Sequence, residues 1–308
     1  MFFSFNLKKL FGLLLIIALS FYLISIQNAL AINKSPVSTV DSFLNAILLR
    51  DVGKAKSFLE KPDNLILVSN PHPVNYEILN MKKLNNDIYQ IEAYVFFSYT
   101  ANPYYSIEKH TFTVVNSLLK YKIRKIEKKI LATVLATDNG ESFSLERDNK
   151  RIALLTKSML ASKDMPKSSF YFGSLAYDIN KNRLVFTIIH GNTIILYYYD
   201  LNSKRLKIVD KIKGKNIGIE TLIIDRTAQY AALNLFEMQN SSIKPFVNLY
   251  KLDNGYKAKL NDLFKNKTIK SINTYYWNKN YLYIRVGINS KVKIYKFDVI
   301  SKKLYLFE

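Results

Sequence analysis

A chain of 308 residues with 49% hydrophobic content is long enough for two packed domains and too apolar to be mainly disordered. Lys and Arg number 45 against 24 Asp and Glu, a formal charge of +21 that favours polyanionic surroundings. Only eight of the 45 are Arg, so diffuse attraction is expected rather than forked phosphate recognition, and the accompanying Asn, Ile, Tyr and Phe fit an A/T-rich coding bias equally well. No cysteine occurs, which excludes disulfides, thiolate zinc sites, iron–sulfur clusters and cysteine nucleophiles. His72, His110 and His190 are too scattered for a histidine-rich metal site, so no metal and no cofactor are expected.

Residues 1–31 contain no acid. Lys8 and Lys9 precede an unbroken apolar run over residues 10–26, and Ala29-Leu30-Ala31 has the small-x-small pattern of a signal-peptidase site. Cleavage after Ala31, read through Ala29 and Ala31, and retention as a membrane anchor both suit a run of this length. In either case the rest of the chain is expected to be extracytoplasmic, secreted or anchored by that segment. Nucleic acid is then not an expected partner, whereas an envelope protein or an anionic wall or membrane polymer is.

Over residues 35–130 the pattern is α+β. Ser35-Pro36 opens a helix in which Val37, Val40, Phe43, Leu44, Ile47 and Leu48 share a face, and Arg50-Asp51-Val52-Gly53 breaks it. A short second helix turns Ala55, Phe58 and Leu59 inward and ends at Pro62. Strands follow over Leu65–Val68, Tyr76–Lys82, Ile88–Tyr99, Ile107–Val115 and Leu119–Ile130, separated by turn residues. In Ile88–Tyr99 the odd positions form the buried face, so Gln90, Glu92 and Ser98 are expected in solvent. Glu108 and His110 share parity with Phe112 and Val114, which places a carboxylate and an imidazole side by side at the open end of the sheet. Such a pair suits acid–base work or a plain surface hydrogen bond. Lys120, Lys122, Arg124, Lys125, Lys128 and Lys129 form a basic row that reads as a binding patch or as a charged edge that discourages strand pairing.

Residues 36–47 followed by Arg50-Asp51-Val52-Gly53-Lys54-Ala55, and the closing pair Lys109–Val115 and Leu119–Ile126 with Tyr121-Lys122-Ile123 in place of a usual Trp-Lys-Ile, resemble the nuclear-transport-factor-like superfamily. The resemblance implies a cone-shaped α+β domain, helices packed on a curved antiparallel sheet, over 35–130. It also implies a cone mouth at which Glu108, His110 and Tyr121 are candidate ligand-binding residues. Members include ketosteroid-isomerase-like enzymes and exported domains without catalysis, and fold alone does not choose between them.

The second half repeats itself. Asn180–Phe186 recurs as Asn278–Ile284 and Asp200–Leu206 as Asp298–Leu304, each 98 residues on, with a weaker copy at Asp225–Leu233 and Tyr250–Gly255. The period of about 49 residues is that of a four-stranded propeller blade. Arg147–Leu155 reads as one more opening hairpin. The "Y-D-L-x-S" and "polar turn, x-L-x-F" elements resemble TolB-like propeller blades, implying an all-β repeat domain over 140–308 with three full units and a partial one. An open stack, a distorted four-bladed ring and completion by a second chain all remain open at that count. Tyr197-Tyr198-Tyr199 and Tyr275-Tyr276-Trp277 suit either a ligand platform or sheet packing. Asp178, Asp200, Asp225 and Asp298 stand at turn positions, as Asx turns require.

No nucleotide, hydrolase or metalloprotease motif occurs. The expected function is therefore non-catalytic binding or scaffolding at a bacterial cell envelope. The alternatives are a small-molecule enzyme using the cone pocket, and a charge-driven polyanion binder through Lys120, Lys122, Arg124 and Lys128.

Overall fold

The computed structural model describes residues 35–65, 71–99, 103–117, 120–160, 170–240, 242–264 and 267–307. The leader with Ala29 and Ala31, and most of the expected strand Leu65–Val68, lie outside them. Among the described residues no helix is long and apolar enough to cross a membrane.

The described residues are mostly strand, arranged as four sheets in a propeller-like ring. Helix α1 (Pro36–Leu48) starts at Ser35, whose hydroxyl accepts from the Ser38 amide while Ser38 Oγ accepts from the Ser35 amide, and Pro36 pre-sets its first turn. Arg50 at φ 57° ends it, and Asp51 caps α2 (Val52–Ser57) by accepting from the Lys54 amide at 2.9 Å. An antiparallel meander follows: β1 (His72–Lys83), β2 (Ile88–Tyr99), β3 (Tyr104–Ser117), β4 (Lys120–Asp138), β5 (Ser142–Arg147) and β6 (Lys150–Thr156). After a short helix α3 (Lys157–Leu160) come three four-stranded sheets: β7 (Phe170–Asp178) to β10 (Arg205–Lys213), β11 (Ile217–Ile224) to β14 (Tyr256–Lys259), and β15 (Ile269–Asn278) to β18 (Lys303–Leu306).

Their inner strands begin at Phe170, Ile217 and Ile269, in keeping with the period read from the sequence. Each blade repeats the same closing bond, Leu201, Leu252 and Val299 amides donating to the carbonyls of Asn182, Gln229 and Asn280. The side chains of Asp178, Asp200, Asp225 and Asp298 accept from amides two or three residues on, as Asx turns do.

The fourth side of the ring is the six-stranded sheet. Strand β15 packs on β11, β11 on β7, β1 on β15, and β2 to β4 on β7, so the ring closes within one chain. The hairpin Arg147–Leu155, expected to open the repeats, instead pairs through β5 with the end of β4 and extends the first sheet. A hairpin's own pattern fixes its turn and not the sheet that accepts its edge.

That sheet is covered on both faces. Ile91, Ala93, Val95, Phe112 and Val114 meet Val40, Phe43 and Leu44 of α1, while Tyr105, Ile107, Val134, Phe143 and Leu145 join the core of the blades. This overturns one expectation: Ser98 is fully buried, because its face of β2, with Tyr94 and Phe96, lies against the blades rather than water.

Candidate functional site

Where the inner strands end, the ring holds a cavity of about 330 Å³. Strand β7 brings Tyr177 and Asp178 to it, β11 brings Ile224 and Asp225, and β15 brings Tyr276, Trp277 and Asn278. The six-stranded sheet adds Asn75, Tyr76, Glu77, Tyr94, Phe96 and Tyr105, and α1 adds Asp41. The wall is buried and largely aromatic, whereas the rim residues Asn180, Arg226, Asn278 and Lys279 are exposed.

Two contacts weld the first sheet to the last blade at this point. Asn75 Oδ1 accepts from the Trp277 amide at 3.1 Å, and the Tyr76 and Tyr276 rings stack with centroids 4.4 Å apart. Trp277 spends its indole N–H on the Lys279 carbonyl at 3.0 Å, which leaves its ring faces for packing. Arg226 reaches from the β11 end to Glu77 at 2.6 Å.

The lining carries four carboxylates against two cations. Glu77 is paired and Asp225 is saturated by the amides of Thr227, Gln229 and Tyr230. Asp41 accepts from the Tyr76 hydroxyl at 2.8 Å, and burial outweighs that bond, so its carboxyl titrates above the usual range. Asp178 is held at Oδ1 by the Asn180 and Lys181 amides, while Oδ2 is buried without a hydrogen-bond partner. Burial pushes its carboxyl upward too, against the pull of those amides, Lys181 and Arg183. The phenols of Tyr76, Tyr105 and Tyr276 are likewise raised, chiefly by burial. A smaller cavity of about 220 Å³ lies toward the other end of the inner strands, bounded among others by His72, Glu220, Asn273 and Arg285.

The three residues expected at a cone mouth do not line these cavities. Glu108 and His110 do meet, Oε2 to Nε2 at 2.8 Å, with the imidazole between the Phe97 and Phe112 rings. Neither borders any of these cavities. Tyr121 is paired opposite Asn116, about 20 Å along β3 from His110 at about 3.3 Å per residue, and packs edge-on against Tyr89. Register separates it from the pair.

Half of the basic row is spent on local partners. Arg124 grips Glu60 with two bonds of 2.9 and 3.2 Å, Lys125 meets Glu127, and Lys122 donates to the Ser57 carbonyl, leaving Lys120, Lys128 and Lys129 exposed. From Arg124 to Leu131 the outer edge of β4 has no sheet partner among the described residues, so the charges there blunt that edge. The two aromatic triplets divide: Tyr197 stacks on Phe186 and donates to the Leu160 carbonyl at 2.6 Å inside the core, while Tyr276 and Trp277 wall the cavity.

By sequence the chain matches no family model and no curated protein. Among solved structures it is similar to TolB from Acinetobacter baumannii at 10% identity and a TM-score of 0.35, covering 67% of this chain. The chain spans about 55% of that TolB chain. A chain of a nidogen/laminin complex is matched at 8% identity and TM-score 0.37, over 79% of this chain and 82% of that one. A puromycin-hydrolyzing peptidase from Mycobacterium tuberculosis is matched at 6% identity and TM-score 0.38, over 75% of this chain and 44% of that one.

Proposed function

We propose that the chain is an exported cell-envelope protein with a non-catalytic binding or scaffolding role, and that the central cavity is its binding site. The observation that carries this reading is the cavity itself: four sheets bring unlike side chains to one concave, aromatic-walled space with a polar rim. Export rests on the leader pattern of residues 1–31. The first unit is read as nuclear-transport-factor-like on the order of its elements, two helices and then a curled antiparallel meander that α1 covers.

Catalysis in the cone would need Glu108 and His110 open to a pocket. The imidazole between Phe97 and Phe112 favours a structural pair. Polyanion binding would draw on the basic strand, of which Lys122, Arg124 and Lys125 are engaged within the chain and Lys120, Lys128 and Lys129 are exposed.

Two measurements test the proposal. Cell fractionation with sequencing of the mature amino terminus should place the protein outside the cytoplasm; an intact cytosolic chain would overturn export. Trp277, the one tryptophan of the chain, lines the cavity and reports its occupancy by fluorescence. A saturable change with some member of a panel of sugars, peptides, amines and acids is expected. Calorimetric binding that leaves Trp277 unmoved would shift the binding site elsewhere.

A further inference from the structure

The cavity is acidic inside a strongly basic protein. Against a chain charge of +21, its lining sets Asp41, Glu77, Asp178 and Asp225 against Arg226 and Lys279. Two of those carboxylates are neutralised or saturated where they stand. Of the other two, Asp41 on α1 accepts from the Tyr76 hydroxyl, and Asp178 on β7 is 5% exposed with Oδ2 buried and unpartnered. An unpaired buried acceptor costs free energy until a donor arrives, and a charged donor offsets the most.

The same cavity is lined by Tyr76, Tyr105, Tyr177, Tyr276 and Trp277. Aromatic faces attract cations and also bury hydrocarbon. A bare divalent ion would need several oxygens converging on one point, and among the described residues no group of three metal-ligating side chains does so. An anion would meet like charge. A quaternary ammonium would satisfy the rings and leave Asp178 without a donor.

We infer that the central cavity binds a primary alkylammonium group, its N–H donors directed to Asp178 and Asp41 and its aliphatic stem lying on the aromatic wall. The inference rests on the cavity being the binding site. The same chemistry comes from a free amine or from a lysine side chain of a partner peptide, and the test separates the two.

The experiment titrates the full-length chain with cadaverine, Nα-acetyl-lysine methylamide, tetramethylammonium and glutarate, following Trp277 emission. Saturation by cadaverine alone assigns a free amine, and saturation by the lysine amide assigns a peptide source. In either case tetramethylammonium should bind about tenfold more weakly and glutarate not at all. Asp178→Asn should weaken the amine about tenfold with no loss of melting temperature. Asp41→Asn, on a separate element, should weaken it severalfold and serves should the first variant fold poorly. The inference is overturned if no amine responds up to about 10 mM, if glutarate responds equally, or if both variants bind as the parent does. Response to a sugar or acid without any amine response would sink the ammonium assignment and keep the cavity as the site. Silence of Trp277 toward every compound, with binding detected by calorimetry, would remove the site itself.

Discussion

The three blades and the six-stranded sheet occupy equivalent places in the ring, yet they are built on different terms. Each blade buries both faces of its second strand and closes with the same amide-to-carbonyl bond, joined in the first and third by an Asx turn at Asp200 and Asp298 where the middle one has Lys251, so its stability comes from repetition. The first sheet carries a second core of its own, in which α1 lies over β1 to β3 and Phe43 meets Phe112 edge-on at 6.0 Å. A ring of four positions thus needs only three repeats when a neighbouring sheet can lend its other face. The joint between the two kinds of unit is where unlike side chains meet, and the cavity lies at that joint.

Removing Phe112 is the severest challenge to this picture. It is fully buried in the helix-covered core, and Phe112→Ala should cost about 3–5 kcal/mol in chemical denaturation. Because Trp277 is bonded to Asn75 across the joint, its fluorescence should report the same transition as far-UV circular dichroism. Transitions that separate would mean that the blades stand without the first sheet. Next in size is Asn234, on β12 (Tyr230–Gln239), which is 1% exposed, donates to the Thr274 carbonyl at 2.9 Å and accepts from the Thr274 amide at 2.7 Å. It stitches one blade to the next, and Asn234→Ala strands a buried amide for about 2–3 kcal/mol. Loss of amide-exchange protection confined to β15 would show that the stitch is local, whereas global loss would show that it carries ring closure.

What could be read from the sequence follows the range of the interactions. The Asx turns depend on residues two or three apart, and the helix start on Ser35, Pro36 and Ser38, so local chemistry declares them. The 98-residue echo declares the blades because each repeats one local pattern. The meeting of Glu108 with His110 is an i, i+2 relation on one strand face, whereas adding Tyr121 to them required knowing the β3–β4 register. Nothing local announces the cavity: Asp41, Tyr105, Asp178 and Trp277 are brought together only by sheet-to-sheet packing. The same ignorance of packing placed Ser98 in solvent and the β5–β6 hairpin among the blades. One hint was available, since Asp178 and Tyr276-Trp277 end strands that the repeat aligns, and strand ends of a ring converge.

A smaller effect is expected at the joint itself. Asn75→Ala leaves the Trp277 amide without its acceptor and should cost about 1–2 kcal/mol, with the Trp277 emission shifting to the red as water reaches the ring. An unshifted spectrum would mean that the Tyr76–Tyr276 stack alone holds the seam.

Asp178→Asn should move stability least, and in the opposite direction. In the folded chain burial raises the Asp178 carboxyl above its unfolded value, so the native state holds the proton more tightly and the ionised side chain is a cost at neutral pH. That cost is absent below the ordinary carboxyl range, sets in as pH rises through the unfolded and then the folded value, and is constant above both. Asparagine keeps an oxygen for the Asn180 and Lys181 amides and carries no charge to desolvate. The variant should therefore melt about 1–3 °C higher than the parent at pH 7 and indistinguishably from it near pH 3. Asp41 and Glu77, raised for the same reason, titrate alike in both chains and cancel from the difference. A blade residue gaining stability as it loses an ammonium ligand is what a binding carboxylate does and a purely structural one does not. Should Asp178→Asn instead destabilise at pH 7, the charge would be serving the Asx turn, and the joint would differ from the blades in shape alone.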